Sequence, residues 1–247
     1  MSSTESSTAP RTFTLPGWAL WALRLFIMLA LPVVLILTSV RLVSSELFLH
    51  IEYNRPGFPD DRYGLSKDDR LHYAPYALEY LHNDAGIDYL GDLTFENGGQ
   101  LYNERELEHM EDVKVVMRAA MRVWLGVGLA FVAVVIGLAW RPATRRHLWG
   151  SLAAGGTFTI MLIITAVVLV LANWDYFFDT FHATFFQGGT WQFRNSDTLI
   201  RLFPEQFWLD ASLTIGFLTI GGALLAVGGA LWSQRQKKQQ IQSAAAN

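Results

Sequence analysis

The sequence predicts an all-α integral membrane protein with four transmembrane helices and a small extracytoplasmic cap. The prediction rests on four long apolar stretches and on an uneven distribution of basic residues. Of the 247 residues, 51% are hydrophobic, and the apolar stretches are residues 18–40, 123–140, 148–172 and 211–232. Stretches of about 18–25 apolar residues match the hydrocarbon core of a bilayer when they form helices. Helices are expected because the backbone must satisfy its own hydrogen bonds inside lipid.

Basic residues are concentrated in two short segments. The loop 141–147 contains three arginines and no acidic residue, and the tail after Trp232 contains three basic residues and no acidic one. Residues 41–118 contain eight basic and sixteen acidic residues, and residues 173–210 contain two basic and five acidic. Lys and Arg are enriched in cytoplasmic loops. Both termini and the loop 141–147 are therefore predicted to be cytoplasmic, and the two acidic segments extracytoplasmic.

This topology divides the chain into three parts. Residues 1–15 are predicted to be a disordered cytoplasmic N-terminus, residues 16–232 a four-helix transmembrane domain, and residues 233–247 a basic cytoplasmic tail. The extracytoplasmic segments lie at about 42–112 and 173–210. No small-residue cleavage site follows the first apolar stretch, which is also long for a signal peptide, so it is interpreted as a retained membrane anchor.

The first external segment contains signals for local structure. Ser66 followed by Asp69 is close to a capping box and predicts the start of a helix, and Pro75 is expected to bend or interrupt that helix. Asn97-Gly98-Gly99 predicts a hairpin turn. Together these signals predict a small folded cap.

The second external segment is rich in aromatic residues, with three tryptophans and eight phenylalanines between residues 173 and 210. Tryptophan and tyrosine favour the level of the lipid headgroups. The segment is therefore predicted to lie on the outer membrane surface, with a break at Gly188-Gly189 and a short turn that opens at Pro204.

The composition excludes several function classes. The chain has no cysteine, which excludes disulfides, thiolate catalysis and cysteine lipidation of the chain itself. The net charge is −3, and no basic patch with interleaved aromatics lies outside the cytoplasmic segments, so nucleic-acid binding is not predicted.

Two of the six histidines lie beside apolar stretches on the predicted external side. A compact bundle would bring His109 and His182 together. Asp112 follows His109 by three residues and shares its helix face, which suits a carboxylate that orients an imidazole, although an ordinary polar helix end is an equal alternative. The other four histidines are interpreted as structural or solvated: His50, His72, His82 and His147.

The histidine pair favours acid–base chemistry over two other mechanisms. A zinc site needs at least three protein ligands, and the sequence has no HExxH motif and no obvious third ligand, so no metal is expected. The GxSxG motif of serine hydrolases is also absent. Two imidazoles without a nucleophile suit proton transfer near neutral pH. At a bilayer surface the natural substrates are lipids or lipid-anchored proteins.

The histidine motifs resemble those of the Lit family, the lipoprotein intramolecular transacylases of bacterial membranes. The first motif is "ERELEHMEDVK" at residues 104–114, and the second is "FHATFF" at residues 181–186. Trp191 and "DTLIRLFPEQFW" at residues 197–208 continue the second motif. The resemblance covers about residues 18–232.

The resemblance implies an acyl transfer within one substrate molecule. The family transfers the sn-2 acyl group of a diacylglyceryl-cysteine lipoprotein to the α-amino group of the same cysteine, giving a lyso-form lipoprotein. By motif, His109 and His182 carry the chemistry. The family pattern has an acidic residue and a proline after Trp191, where this chain has "QFRNSD". Residues 192–196 are therefore not expected to be functional.

The resemblance also bears on substrates and cofactors. Phe181, Phe185 and Trp191 are the expected substrate-binding residues at the mouth of an acyl-chain groove, although interfacial anchoring explains the phenylalanines equally well. No cofactor is expected, because the transfer needs neither ATP nor acyl-CoA and no phosphate-binding loop is present. The expected partners are a diacylated lipoprotein and membrane lipids. Two alternatives stay open: a metal-dependent membrane hydrolase with the same histidines, and a non-catalytic membrane protein whose cap binds a partner.

Overall fold

A computed structural model describes residues 16–186 and 189–246, which form nine helices. The predicted disordered segment 1–15 and Gly188 lie outside the described residues. The helices are α1 (Gly17–Val43), α2 (Glu46–Asn54), α3 (Lys67–His82), α4 (Asp88–Gly91), α5 (Glu104–Trp140), α6 (Pro142–Ala172), α7 (Trp174–Phe185), α8 (Thr198–Leu202) and α9 (Glu205–Ala246).

Four of these helices, α1, α5, α6 and α9, are long and apolar enough to cross a membrane. This agrees with the predicted number and positions of the transmembrane helices. Helix α5 has 37 residues, so it is about 55 Å long, whereas the hydrocarbon core is about 30 Å thick. Its first turns, residues 104–122, carry charged side chains and lie outside the apolar stretch 123–140.

Small residues allow the spanning helices to pack closely. A side chain at Gly156 of α6 would lie 2.8 Å from the carbonyl oxygen of Ala223 in α9, so only glycine fits at this contact. Helix α5 is tied to α1 by a hydrogen bond from the indole Nε1 of Trp124 to the hydroxyl of Thr38, at 3.0 Å. Buried residues near the loop 141–147 join α1, α5 and α6: Ile27, Leu138 and Leu148.

Helices α2, α3 and α4, the first turns of α5, α8 and the start of α9 form a second packed region, here called the cap. Its buried core includes side chains from each of these elements, among them Leu49, Ala74, Leu90, Met110, Leu202 and Phe207. The capping box predicted at Ser66 and Asp69 is present at the start of α3. Helix α3 is continuous through Pro75, so an interruption there is a wrong prediction.

Two other local predictions are modified by the structure. The turn at Asn97-Gly98-Gly99 is present, with Gly98 at a φ of +81°, but it closes only a single antiparallel bridge between Thr94 and Gln100. Pro204 opens α9 itself, because its carbonyl accepts the backbone N–H of Phe207 at 2.8 Å. The last spanning helix therefore begins before its apolar stretch and carries the end of the second external segment into the cap.

Candidate active site

His109 lies near the start of α5, against the core of the cap. Asn103 caps this helix and forms a capping box with Glu106, one turn before the histidine. The side chain of His109 is only 6% exposed. The capping residues thus fix where α5 begins, and the burial of His109 restricts the directions that its imidazole can take.

His182 lies on α7, a short helix held in a different way. Asn173 caps α7 by accepting the backbone N–H of Tyr176 at 3.0 Å, but no residue of α7 is buried. Phe181 and Phe185 are 45% and 50% exposed. Exposed aromatic rings on a short helix are typical of helices that lie at the level of the lipid headgroups.

The fold brings the two imidazoles together. The ring centroids of His109 and His182 are 6.1 Å apart. The ring of Phe186 packs against both imidazoles, with its centroid 5.0 Å from that of His109 and 5.6 Å from that of His182. The ring centroid of Trp191 lies 5.1 Å from that of His182. The pair is therefore lined by aromatic surface that removes much of the water around it.

A backbone hydrogen bond fixes the tautomer of His182. Its Nδ1 lies 2.8 Å from the carbonyl oxygen of Phe178. A carbonyl oxygen only accepts, so Nδ1 is the donor and carries the proton, and Nε2 of the neutral ring has a free lone pair. His109 differs, because its buried Nδ1 has no hydrogen-bond partner among the described residues.

Burial favours the neutral form of both imidazoles. Desolvation, together with the nearby His182, lowers the pKa of His109 to about 4. Desolvation also lowers the pKa of His182, although the carbonyl of Phe178 and the charge of Asp179 act in the opposite direction. Neutral imidazole is the form that accepts a proton, so the pair is ready for acid–base chemistry near pH 7.

Asp112 lies close to the pair but binds a different partner. Its carboxylate accepts a hydrogen bond from the hydroxyl of Thr190 at 3.4 Å. In the described part of the chain, no hydrogen bond joins Asp112 to His109. The direct contact expected from helix spacing is therefore not formed. Asp112 instead holds the residue that precedes Trp191.

Comparison with known proteins gives the family. The family model described as lipoprotein intramolecular transacylase Lit matches residues 25–208. The chain belongs to the Lit family. It is therefore a membrane acyltransferase of the class that acts on lipoproteins. A protein of Aquifex aeolicus (strain VF5), described as uncharacterized, is 31% identical over 208 residues, which are 84% of this chain and 93% of that protein.

Solved structures of the Lit transacylase from Bacillus cereus share the fold. One is 19% identical, with a TM-score of 0.69, and the match covers 92% of this chain and all of that chain. A variant of the same protein with a histidine-to-arginine substitution is 20% identical, also with a TM-score of 0.69, and the match covers 91% of this chain and 96% of that chain. The predicted all-α membrane fold with four spanning helices is confirmed.

Residues 192–196 carry no expected function in the sequence, yet in this Lit family member one of them lies at the pair. Phe193 packs its ring 5.3 Å from that of His109. The expectation relies on polar residues of the family pattern, whereas this contact is made by an aromatic ring, so the absence of function at residues 192–196 stays a prediction. The aromatic density of the segment is the only sequence signal that points to Phe193.

Glu106 is the second residue that sequence reasoning missed. Its side chain is 1% exposed, and it accepts backbone N–H groups from Asn103 at 2.8 Å and from Leu199 at 2.5 Å. Burial raises its pKa even though these donors act to lower it. The carboxylate therefore fastens α8 to α5 one turn from His109. The pattern Asn103-x-x-Glu106 is a capping-box signal that was available in the sequence.

Proposed function

We propose that this Lit family member transfers the sn-2 acyl chain of a diacylglyceryl-cysteine lipoprotein to the α-amino group of the same cysteine. A bond forms between that nitrogen and the acyl carbon, and the ester bond to the glycerol oxygen breaks. The amine proton ends on the glycerol oxygen, which gives a lyso-form lipoprotein. The observation that carries this proposal is the pair of neutral imidazoles, 6.1 Å apart between ring centroids, in an aromatic-lined site.

The two histidines take different roles in the proposal. His182 acts as the general base, because its Nδ1 proton is committed to the carbonyl of Phe178 and its Nε2 lone pair is free. His109, whose buried Nδ1 has no hydrogen-bond partner among the described residues, donates a hydrogen bond from its other ring nitrogen to the acyl carbonyl oxygen as negative charge develops there. His182 then passes the proton to the departing glycerol oxygen.

The arrangement suits a substrate that carries both reactants. The amine and the ester belong to one molecule, so little translational entropy is lost when they meet. The amine has an unperturbed pKa of about 7.7–8 and must lose a proton before it attacks. An aromatic-lined site favours the neutral amine because it disfavours charge. No phosphoryl donor or acyl carrier is required.

We assign the supporting residues from their positions. Phe181 and Phe185 present exposed rings on the helix that carries His182, where an acyl chain in the outer part of the membrane would pass. Trp191 packs against His182 and keeps its ring in place. Asp112 acts through Thr190, which precedes Trp191, and thus positions this side of the site.

The proposal places the active site on the extracytoplasmic face and both termini in the cytoplasm. The basic loop 141–147 and the basic tail support this orientation. Reporters fused after Arg146 and after Trp232 are expected to stay cytoplasmic, and a reporter near Gly99 to lie outside. A cytoplasmic signal from the Gly99 position would contradict the orientation.

The proposal uses neither a cofactor nor a metal ion. The described residues bring together no group of three or more His, Cys, Asp or Glu side chains that could hold a metal, whereas a zinc site needs three protein ligands. Activity is therefore expected to survive strong chelators. Loss of activity that added zinc restores would favour the metal-dependent hydrolase instead.

Mass spectrometry of lipoprotein N-termini tests the proposed function directly. The protein is expressed in a bacterial host that lacks other N-acylating enzymes. Lyso-form lipoprotein, with one acyl chain on the α-amino group and one on the glycerol, is expected only in cells that express the protein. Unchanged diacylated N-termini, or release of free fatty acid, would contradict the proposal.

A further inference from the structure

An open groove of about 520 Å³ lies on the cap at the start of α5. One wall is the first two turns of α5, and the other is the turn that leads into α8. We call it the polar groove, and it is lined by Asn103, Glu104, Arg105, Glu108, Arg194 and Asp197.

The polar groove begins one helical turn from the histidine pair. Arg105 precedes His109 by four residues, so the two lie on the same face of α5, about 6 Å apart along its axis. The guanidinium of Arg105 donates to the carbonyl oxygen of Gln192 at 3.0 Å. Gln192 stands between Trp191 and Phe193, the rings that contact the two histidines. The groove and the histidine pair therefore share a wall.

The chemistry of the groove suits a peptide main chain. The lining side chains comprise three carboxylates, two guanidinium groups and one amide, so acceptors and donors stand side by side. A peptide presents N–H donors and C=O acceptors at every residue whatever its sequence. An anionic lipid headgroup fits less well, because the three carboxylates exceed the two arginines in charge.

We propose that the polar groove binds the main chain of the residues that directly follow the acylated cysteine of the lipoprotein. This inference rests on the proposed function, which places the α-amino group of that cysteine at the histidine pair. An extended chain advances about 3.3–3.6 Å per residue, and Asn103 lies about 9 Å from His109 along the helix axis. Two or three residues after the cysteine therefore span the groove.

Main-chain binding would allow one site to accept lipoproteins of different sequence. Contacts with main-chain groups do not depend on side chains, so the groove holds the peptide in register without selecting its sequence. The same contacts hold the cysteine amine close to the histidines, which is where binding energy helps an intramolecular reaction.

The experiment compares two synthetic diacylglyceryl-cysteine peptides that differ only in length. One has a single residue after the cysteine and the other has six, all serine or glycine. With the full-length protein in detergent micelles, kcat/KM is expected to be about tenfold higher for the long peptide. Tenfold corresponds to about 1.4 kcal/mol, which is the net contribution of a few hydrogen bonds. Arg194→Ala and Glu108→Ala are expected to remove most of this preference by lowering kcat/KM for the long peptide.

Arg62→Ala is the matched control, because Arg62 is an exposed arginine between α2 and α3 that does not line the groove. It should leave the preference for the long peptide unchanged. Equal turnover of both peptides by the wild-type protein, or an equal loss for both in Arg194→Ala, would overturn the groove assignment while leaving the proposed function intact.

Two further outcomes would also overturn the inference. An effect of Arg194→Ala that follows the fraction of anionic lipid in vesicles, and not peptide length, would assign the groove to a lipid headgroup. Conversion of neither peptide by the wild-type protein would contradict the proposed function and the inference together.

Discussion

His109 and His182 lie on helices that the protein holds in very different ways. His109 is 6% exposed and packs against the rings of Phe186 and Phe193, and one turn away the buried carboxylate of Glu106 ties α5 to α8. His182 lies on α7, which has no buried residue and exposes a row of aromatic rings. One imidazole is thus fixed by protein packing, and the other by a short helix whose apolar face is free to contact lipid.

This difference indicates which chemical role each histidine suits. A fixed His109 suits a hydrogen-bond donor that must already point at the place where charge develops. A base on a surface helix, locked in one tautomer by its own backbone, can accept a proton from a substrate that arrives in the membrane. The comparison predicts that changes near His109 act on positioning, whereas changes on α7 act on substrate binding.

The largest effect is expected when either imidazole is removed. His109→Ala and His182→Ala should each lower kcat by about 10²–10⁴-fold. The double variant should be little worse than either single one, because groups that act in one step are not additive. His72→Ala, at an exposed cap position, is the control. Near-wild-type turnover in either single variant, at equal membrane abundance, would remove that histidine from the mechanism.

Both imidazoles are expected to titrate below the ordinary range of histidine. Burial lowers the pKa of both, so each stays neutral at pH values where an exposed histidine, with a pKa of about 6.5, is already protonated. The substrate amine, with an unperturbed pKa of about 7.7–8, produces its own acid limb in a pH–rate profile, so the imidazoles are followed by NMR titration of the substrate-free protein. A titration midpoint of either imidazole at or above about pH 6.5 would contradict its burial.

Glu106→Gln tests whether the hydrogen bonds of the buried Glu106 carboxylate to Asn103 and Leu199 position His109. The amide can still accept from Leu199, but its NH2 group would face the N–H donor of Asn103, so one buried donor stays unpaired. The unpaired donor is expected to cost about 1–3 kcal/mol. We expect kcat to fall about tenfold to a hundredfold, while KM changes little.

Glu111→Gln, an exposed change on the same helix, should leave kcat unchanged. If Glu106→Gln lowers only thermal stability and leaves kcat intact, the Glu106 hydrogen bonds are structural and do not position His109. A parallel loss of kcat in Glu111→Gln would show that the effect is general to charge on α5.

Changes on α7 should affect substrate binding without loss of stability. Phe181→Ala and Phe185→Ala remove exposed rings that a substrate acyl chain would contact, so KM should rise about threefold to tenfold. The melting temperature should not change, because α7 buries no side chain. Tyr176→Ala, also exposed on α7, is the control. A fall in melting temperature without a change in KM would assign these rings to packing.

The smallest effect is expected at Asp112. Its hydrogen bond to Thr190 is long, at 3.4 Å, and contributes a net stabilisation of about 0.5–1.5 kcal/mol, so Asp112→Ala and Thr190→Val should each lower kcat about twofold to tenfold. The double variant should match either single one. A loss as large as that of His109→Ala would mean that Asp112 takes part in the chemistry itself.

The spanning helices could be predicted from the sequence because their apolar stretches are long. Inside lipid the backbone must satisfy its own hydrogen bonds, so a helix is the expected structure for such a stretch. It also pointed to the pair His109 and His182, since both motifs adjoin spanning helices on one predicted side. It did not predict the partner of Asp112, because helix spacing defines a shared face but not which neighbouring chain segment approaches that face. Thr190 is 78 residues away along the chain, and only the tertiary fold brings it there.

The contribution of Phe193 illustrates the same limit. It lies in a segment that departs from the family pattern, and no local signal distinguishes it from the other phenylalanines. Its contact with His109 depends on how α8 is fastened to α5, which depends in turn on the buried carboxylate of Glu106. Sequence periodicity predicts single helices, whereas the contact between Phe193 and His109 depends on how separate chain segments pack together.

An isotope experiment tests the central claim most directly. A diacylglyceryl-cysteine peptide with a labelled sn-2 acyl chain is mixed with an unlabelled peptide of different mass and incubated with the purified protein. Transfer within one substrate at the histidine pair predicts that the label appears only on the α-amino group of the peptide that carried it, and that His109→Ala and His182→Ala abolish the product. Label on the second peptide, label released as free fatty acid, or full activity in both variants would contradict the account.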